Sequence, residues 1–239
     1  MKVLFIGNSF SQDATVYLRR VSDDKIFVRN LYIGGCPLEW HANNIKEANV
    51  SYEYQLDGVR VKMASINDTL TEEKWDYVSI QQVSQLSGVE ESYEPYTEFI
   101  VNYIKEKCPE AKIVFHRTWA YDDKSTHGGF ANYDWDRTKM YNCIVEASTN
   151  IAKKYGLEII PSGDAIERAR YLDEFNTSVG GMSMNRDGFH LSLDYGRYLA
   201  ALTLYKFFTK GDVTKVTFEP DNTDPLICAK LKDIANNIL

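Results

Sequence analysis

The sequence predicts an α/β protein with a mostly parallel sheet and helices on both of its faces. Short apolar runs alternate with longer stretches of helical periodicity along the whole chain. Strands separated by helices need crossover connections, which make the strands parallel and cover the sheet. The chain has 239 residues, of which 44% are hydrophobic, enough for the core of one large domain. No linker or internal repeat divides it, so we expect residues 1–239 to form a single domain.

Five apolar runs have the length and flanking residues of buried strands. They are Lys2–Ile6, Ile26–Ile33, Trp75–Gln81, Lys112–Arg117 and Leu157–Ile160. Six further stretches carry helical periodicity. They lie at about Asp13–Val21, Leu38–Ala48, Tyr93–Lys107, Tyr133–Tyr155, Ser192–Phe208 and Pro225–Leu239. We therefore expect a central sheet of five strands.

One segment departs from this alternation. Tyr52–Gln55 and Val59–Met63 flank the dipeptide Asp57-Gly58. Asp-Gly between two alternating runs is a signal for a β-hairpin. The segment is either a small antiparallel insert or an extension of the sheet edge.

Charge and cysteine content exclude several classes of protein. The net charge is −7 with both signs interspersed, which opposes a nucleic-acid groove. No apolar run approaches the roughly 18 residues of a membrane span. The four cysteines are scattered without a Cys-x-x-Cys pair, which indicates reduced, buried thiols. Met1 leads straight into the first strand without a signal peptide, so we expect a cytoplasmic protein, or a secreted or periplasmic one if a leader has been removed.

Polar or small residues follow most of the predicted strands. Asn8–Ser11, Gly34–Pro37, Gln81–Gln85 and Thr118–Tyr121 each come directly after a strand. In an open parallel sheet, ligands bind beyond the carboxyl ends of the strands. The loop before the Ser192 helix adds Asp187 and His190, so five loops are expected to meet at one mouth.

Ser9, Asp187 and His190 are the residue types of a nucleophilic triad, in one of its known chain orders. A serine hydroxyl needs a base, which His190 can supply, and Asp187 can orient the imidazole. Two alternatives stay open. Ser9 can cap a helix, a role that Ser11 fills equally well, and Asp187 with His190 can be a loop aspartate and a packed histidine.

Acyl transfer also requires donors for the oxyanion that develops on the substrate. The backbone N–H of Ser9, at a helix start, and that of Gly34 or Gly35 can point into the mouth. A side-chain amide of Gln81 or Gln82 can serve as a third donor. The alternatives are an ordinary tight turn at the glycines and glutamines that bind backbone groups.

These motifs resemble those of the SGNH/GDSL-type hydrolases. Gly7-Asn8-Ser9-Phe10-Ser11 is similar to the first block of that family, with Asn8 in place of the usual aspartate. Gly35 resembles the glycine of the second block, and Asp187-Gly-Phe-His190 matches the last. The resemblance extends from residue 3 to about residue 205.

The third block departs from the family pattern of Gly-x-Asn-Asp. Here the segment is Ile80-Gln81-Gln82-Val83-Ser84-Gln85, so a glutamine must replace the asparagine donor. We favour Gln82, with Gln85 as the alternative if the register is counted from the strand. The resemblance is to a bacterial branch found largely in gut anaerobes. It implies a three-layer α/β/α, flavodoxin-like sandwich, esterase activity, and no metal or cofactor.

Five residues are expected to contact the substrate: Asn8, Gln81, Trp119, Tyr121 and His127. Trp119 and Tyr121 follow the fourth strand and are predicted to form a wall on which a sugar stacks, the alternative being loop packing. His41 and His116 are interpreted as packed histidines.

The sequence thus predicts a serine esterase that removes a small acyl group, acetyl above all, from a carbohydrate. One alternative is a lipid, aryl-ester or thioester hydrolase with the same mechanism. Another is a catalytically silent module that binds a glycan. A nucleotide-binding protein is disfavoured because neither Gly-rich phosphate motif occurs.

Overall fold

One seven-stranded sheet runs through the computed structural model, which describes Met1–Leu239. Its order is β4-β3-β2-β1-β5-β6-β7. The strands are β1 (Lys2–Gly7), β2 (Phe27–Tyr32), β3 (Tyr52–Leu56), β4 (Val59–Ala64), β5 (Tyr77–Ile80), β6 (Lys112–His116) and β7 (Glu158–Ile160). Strands β2, β1, β5, β6 and β7 are parallel to one another, as the crossover pattern predicts.

The expectation of five strands is wrong because the hairpin joins the sheet. Strand β3 pairs antiparallel with β2, placing Leu31 opposite Tyr54, and β4 forms the outer edge. Of the two interpretations of this segment, the edge extension is therefore correct. Tyr52 and Tyr54 are buried in the same core as Leu31. The burial of these apolar side chains stabilises the hairpin as an extension of the sheet.

Nine α-helices surround the sheet. They are α1 (Ser9–Thr15), α2 (Leu18–Val21), α3 (Leu38–Lys46), α4 (Ile66–Glu72), α5 (Tyr96–Lys107), α6 (Arg137–Tyr155), α7 (Ser162–Ala169), α8 (Tyr195–Thr209) and α9 (Pro225–Asn236). Short 3-10 helices span Ser84–Leu86, Glu90–Ser92, Gly128–Tyr133, Thr177–Val179 and Val213–Lys215. No helix is both long enough and apolar enough to cross a membrane.

Several helix boundaries differ from the predicted ones. The first helix begins at Ser9, before the expected Asp13, because Asn8 caps it there. Helix α6 begins at Arg137 because Asp134 and Trp135 have φ angles of 55° and 59°, which helical backbone does not tolerate. Helices α4 and α7 have only seven and eight residues and are absent from the predicted set, since such short segments show little periodicity.

Two apolar cores lie on the two faces of the sheet. Helices α1, α2, α7, α8 and α9 share one core with Val3 and Phe5 of β1. Helices α3, α4 and α5 share the other with Leu4 and Ile6. Alternate residues of β1 point to opposite faces, so this strand is buried on both sides and its carboxyl end opens at the centre of the fold.

Candidate active site

A pocket of about 200 Å³ opens at the carboxyl ends of β1, β2 and β5. Its walls are Asn8, Ser9, Tyr32, Gly34, Gly35, Val83, Ser84, Gln85, His127, Phe189 and His190. Larger surface cavities exist elsewhere, but this one combines a serine with two histidines. Four of the five loops predicted to meet at a mouth line this pocket, at the position where α/β sheets bind ligands, whereas Thr118–Tyr121 does not reach it.

Ser9 is the first residue of α1, and its side chain is half-buried at the pocket wall. The helix is capped by Asn8, whose Oδ1 accepts a hydrogen bond from Phe10 N–H, 3.0 Å away. Ser11 is buried, and its hydroxyl lies 2.8 Å from each of two acceptors, Asn8 O and Asn30 Oδ1. The capping role that Ser9 could have filled thus falls to Asn8, which leaves the Ser9 hydroxyl free for another purpose.

His190 is oriented by Asp187 from the same turn. The Nδ1–H of His190 donates to Asp187 Oδ2 at 2.7 Å, and its backbone N–H donates to Oδ1 at 2.8 Å. Burial works to raise the pKa of Asp187, but the hydrogen bonds from His190 and from Phe189 N–H hold it below its ordinary value. The carboxylate is therefore ionised at neutral pH and leaves His190 Nε2 as the basic nitrogen.

Ser9 and His190 line the same pocket, but no hydrogen bond joins their side chains. A nucleophile and its base often lie at longer range without substrate, and their bond shortens in the reactive complex. The structure therefore places a hydroxyl and an oriented imidazole at one pocket, where substrate binding can bring them into hydrogen-bond contact.

The backbone N–H groups of Ser9, Gly34 and Gly35 lie at the pocket wall and have no acceptor within the protein; those of Ser9 and Gly35 are the ones that the sequence motifs single out. Gly35 has a φ of +64°, and a Cβ built on it would meet nothing within 4 Å. Its backbone conformation, rather than space, accounts for the glycine at this position. Both groups are available to bind a negative oxygen.

Gln82 faces away from the pocket, which contradicts its predicted role as the third oxyanion donor. Its Oε1 accepts from Leu38 N–H at 3.0 Å and from Val83 N–H at 2.9 Å. Its Nε2 donates to Ser92 O and Ser92 Oγ, each at 3.0 Å. Both ends of this buried amide are occupied by the polypeptide, so Gln82 is a structural residue.

Gln85, the alternative from the sequence, lines the pocket instead. It is half-buried, and its Nε2 donates to no protein acceptor. Its backbone carbonyl accepts from Asn132 Nδ2 at 2.9 Å and Tyr133 OH at 3.1 Å, which hold the segment in place. Of the three candidate glutamines, only Gln85 lines the pocket; its Nε2 is unpaired, and its Oε1 accepts from Ser84 Oγ at 3.4 Å.

Asn8 and Gln81 belong to a buried polar chain rather than to a substrate surface. Gln81 Nε2 donates to Asn8 Oδ1 at 3.0 Å, and His116 Nδ1 donates to Gln81 Oε1 at 2.8 Å. Asn8 Nδ2 also donates to Cys36 O at 3.1 Å. Asn8 borders the pocket, but its amide connects the ends of β1, β2 and β5, and Gln81 does not reach the pocket at all.

Trp119 and Tyr121 form no sugar-stacking wall, because both side chains are 0% exposed. Trp119 stacks on Phe10 with ring centroids 4.4 Å apart, and its Nε1–H donates to Phe189 O at 2.8 Å. It therefore joins α1 to the loop of His190. The loop-packing alternative is correct, and the prediction of exposed rings here is wrong.

His127 does reach the pocket. Its Nδ1 accepts from Gly129 N–H at 3.1 Å, and the Tyr121 hydroxyl lies 3.3 Å from the same nitrogen. Burial and the nearby charge of His190 lower its pKa, so the ring is neutral at pH 7 with its proton on Nε2. That N–H has no protein acceptor and can donate to a ligand.

Tyr32 is a pocket residue that the sequence motifs do not indicate. It ends β2, where it belongs to the apolar run of the strand. Its hydroxyl makes no hydrogen bond and lies 3.2 Å from where a Cβ on Gly34 would stand. Burial and the charges of Glu53 and Asp13 raise its pKa, so it is a neutral donor. The position at a strand end is the signal that could have found it.

His41 and His116 lie in the interior, as their interpretation as packed histidines requires. The Nδ1 of His41 is 2.7 Å from Tyr52 OH. Burial lowers the pKa of each histidine to about 3. Neither reaches the pocket, so His127 and His190 are the two histidines available to a substrate.

Comparison with protein families identifies one match. The model of DUF4886, a domain of unknown function, matches residues 2–237. No curated protein sequence matches the chain. The crystal structure of a DUF4886 family protein from Bacteroides uniformis is similar to it at 42% identity with a TM-score of 0.90, covering 99% of this chain and 93% of that one.

Solved structures at lower identity share the fold. A protein from Slackia heliotrinireducens, described as a candidate SGNH hydrolase, has a TM-score of 0.57 at 22% identity, covering 88% of this chain and 99% of its own. An acetyl xylan esterase has a TM-score of 0.57 at 12% identity, covering 87% and 100%. The resemblance to SGNH hydrolases is thus confirmed at the level of the three-layer fold.

Proposed function

The chain belongs to the DUF4886 family, and we propose that it is a serine esterase that hydrolyses small acyl esters, acetyl esters of carbohydrates above all. One observation carries this proposal. A free serine hydroxyl shares a pocket with a histidine that an ionised aspartate orients at 2.7 Å. This combination of nucleophile, base and orienting carboxylate is the arrangement that acyl transfer by serine requires.

In this mechanism the Ser9 oxygen attacks the ester carbonyl while His190 Nε2 takes the hydroxyl proton. The tetrahedral intermediate collapses, the C–O bond to the alcohol breaks, and His190 returns the proton to the leaving alcohol. Water then attacks the acyl-enzyme with His190 as base, which releases the acid and restores Ser9. Asp187 remains ionised and stabilises the imidazolium in both steps.

Three donors bind the oxyanion in this proposal: Ser9 N–H, Gly35 N–H and Gln85 Nε2. All three line the pocket, and none has a protein acceptor. They come from the ends of β1, β2 and β5, three adjacent strands whose carboxyl ends surround the pocket. The two backbone donors are fixed in place by the fold and can stabilise the transition state without reorganisation, whereas the Gln85 amide is carried by a backbone segment that Asn132 and Tyr133 hold.

The size of the pocket supports a small acyl group. Its volume of about 200 Å³ lies below the roughly 300 Å³ at which pockets for drug-sized ligands begin. Tyr32, Val83 and Phe189 are its large apolar walls. An acetyl group fits such a space, whereas a long acyl chain needs an apolar groove leading away from it.

A carbohydrate as the alcohol part is supported by the free polar groups at the pocket. His127 Nε2–H and the Tyr32 hydroxyl can each bind a sugar hydroxyl. With Trp119 and Tyr121 buried, the sugar is held by these hydrogen bonds instead of by stacking. The fold shared with an acetyl xylan esterase agrees with this choice.

The test is hydrolysis of 4-nitrophenyl acetate and of acetylated sugars by the wild type and Ser9→Ala. Loss of the nucleophile should lower kcat by about 10³-fold or more. Ser11→Ala is the matched control, because its hydroxyl is buried away from the pocket and kcat should stay within about fivefold. The melting temperature of each variant checks that it is folded.

Two outcomes would overturn the proposal. Equal rates for the wild type and Ser9→Ala would remove Ser9 from the reaction. Glycan binding without turnover of any ester would identify a binding module. A series from acetate to octanoate esters tests the acyl preference, and we expect kcat/KM to fall as the chain lengthens.

A further inference from the structure

Asp13 is a carboxylate with no exposed surface, in the same short helix that begins with Ser9. Two arginines and one backbone N–H surround it. Arg186 Nη1 lies 3.1 and 3.0 Å from its two oxygens, and Arg197 donates from Nε at 2.9 Å and from Nη2 at 2.7 Å. Leu191 N–H donates to Oδ2 at 2.9 Å. All of these partners lie more than 170 residues away in sequence.

The partners of Asp13 flank the segment that carries the candidate acid and base. Arg186 immediately precedes Asp187, and Leu191 immediately follows His190. Arg197 stands in the first turns of α8, directly after this segment. One carboxylate in the helix of Ser9 therefore binds both ends of the Asp187–His190 turn.

The turn itself is closed by its own hydrogen bonds. Arg186 N–H donates to His190 O at 2.9 Å, and an antiparallel bridge pairs Asn185 with Leu191. On the other side Asp122 N–H donates to Gly188 O at 2.8 Å. The turn is thus a compact unit, and the position of that unit relative to Ser9 depends on what joins it to α1.

We propose that Asp13 is a positioning residue that sets the distance between His190 and Ser9 by anchoring the Asp187–His190 turn to helix α1. This inference rests on the proposed function. A buried ion pair contributes little more to stability than a well-packed apolar pair would. The hydrogen bonds of Asp13 have fixed directions, however, and therefore fix the position of the turn relative to α1. Misplacing a base by about 1 Å can cost roughly a hundredfold in rate, so such an anchor has a kinetic effect.

The first test compares Asp13→Asn with the wild type on 4-nitrophenyl acetate. We expect kcat to fall by about 10- to 100-fold while KM stays within about threefold, because Tyr32, Gly35 and Gln85 remain in place. Asp164→Asn is the matched control. Asp164 binds Arg117 at 3.1 and 3.0 Å from α7 and does not touch the turn, so its loss should lower the melting temperature and leave kcat unchanged.

A second test needs no substrate. Proton NMR at pH 7 follows the ring signals of His127 and His190, whereas the signals of His41 and His116 belong to buried, neutral rings with pKa values of about 3. The spectrum of His127→Gln assigns the two signals. Asp13→Asn removes the anchor of the turn and should change the chemical shift of the His190 ring protons, because the ring moves relative to Phe10 of α1, whose ring centroid lies 6.0 Å from it.

Titratable and charged groups surround the Asp187–His190 turn from several elements. Asp187 and Arg186 act from its own turn, and His127 acts from the start of the Gly128–Tyr133 segment. Asp13 acts from α1 and Arg197 from α8. The substitution removes the only one of these groups that lies on α1, so the signal reports on the anchor between α1 and the turn. Asp164→Asn should leave the His190 signal in place.

Arg186→Gln keeps the test decisive if Asp13→Asn does not fold. It removes one of the two attachments of the turn to Asp13 and leaves Leu191 N–H and Arg197 bound to it, and kcat should again fall at least tenfold. Folded variants with kcat within threefold of the wild type and an unchanged His190 chemical shift would overturn the positioning role. If the wild type hydrolyses no ester, the proposed function fails, and the NMR comparison alone decides whether Asp13 sets the position of His190.

Discussion

Replacing Gln85 and Gln82 separately with alanine distinguishes the catalytic glutamine from the structural one. Gln85 Nε2 has no protein acceptor, so its loss breaks no side-chain donor bond within the fold. Removal of one oxyanion donor costs roughly 10²- to 10³-fold in kcat, about 3 to 4 kcal/mol of transition-state stabilisation. We expect Gln85→Ala to show this loss with a melting temperature within about 2 °C of the wild type.

Gln82→Ala should behave in the opposite way. The substitution deletes four hydrogen bonds and leaves Leu38 N–H, Val83 N–H and the Ser92 carbonyl without these partners. Unsatisfied buried groups cost about 1 to 3 kcal/mol each before relaxation. A net loss of about 2 to 4 kcal/mol corresponds to roughly 5 to 15 °C in melting temperature for a chain of this size.

The assay is a pair of measurements on each variant: kcat on 4-nitrophenyl acetate and the midpoint of thermal unfolding. Gln85→Glu serves as the isosteric control, since it keeps the shape and replaces the donor by an acceptor that repels an oxyanion. The reasoning is refuted if Gln85→Ala retains full kcat. It is equally refuted if Gln82→Ala loses kcat while its melting temperature is unchanged.

Three further predictions concern the surroundings of the pocket. Asn8→Asp replaces the amide that donates to Cys36 O at 3.1 Å by a carboxylate oxygen, which repels that carbonyl. We expect the free energy of unfolding, measured by urea titration, to fall by about 1 to 3 kcal/mol. We also expect a higher KM in kinetic assays. Trp119→Ala should cost about 3 to 5 kcal/mol of stability and change KM equally for sugar and nitrophenyl esters, since its buried ring offers no surface to either; a loss confined to sugars would contradict this. His41 and His116 have pKa values of about 3 in the folded state and about 6.5 in the unfolded state. The free energy of unfolding should therefore be unaffected by these two histidines above pH 6.5 and should fall by about 1.4 kcal/mol per histidine for each pH unit below it. Urea unfolding at pH 7.5, 6 and 5 should show this fall in the free energy of unfolding. In His116→Gln, the part of the fall that the two histidines cause should be half as large.

The alternation of strands and helices can be predicted from the sequence because it depends on local periodicity. Each helix or strand buries its apolar side chains on one face, and the spacing of those side chains in the sequence differs between helices and strands. For the same reason the loops that meet at the pocket can be located from the order of the apolar runs. The residue types in those loops, with Ser9 early and Asp187 and His190 late, also indicate the class of chemistry, which stays a prediction until Ser9→Ala is measured.

The direction of each polar side chain at the strand ends cannot be predicted in this way, because distant residues decide it. Gln82 turns away from the pocket because it binds Leu38 and Ser92, whereas Gln85 has no such partners and faces the cavity. Trp119 is buried because its ring stacks on Phe10. Its place in the sequence, directly after a strand, would fit an exposed residue equally well.

Local patterns in the amino-acid sequence are enough to specify the alternating architecture, the mouth at the carboxyl ends of the strands and the residue types gathered there. Folding in three dimensions adds that the hairpin extends the sheet, that Gln85 is the free amide and that Asp13 joins α1 to the Asp187–His190 turn. Periodicity is a property of neighbouring residues, but a hydrogen bond between residues 13 and 191 exists only after the chain has folded. Contacts of that kind depend on packing, which no local pattern encodes.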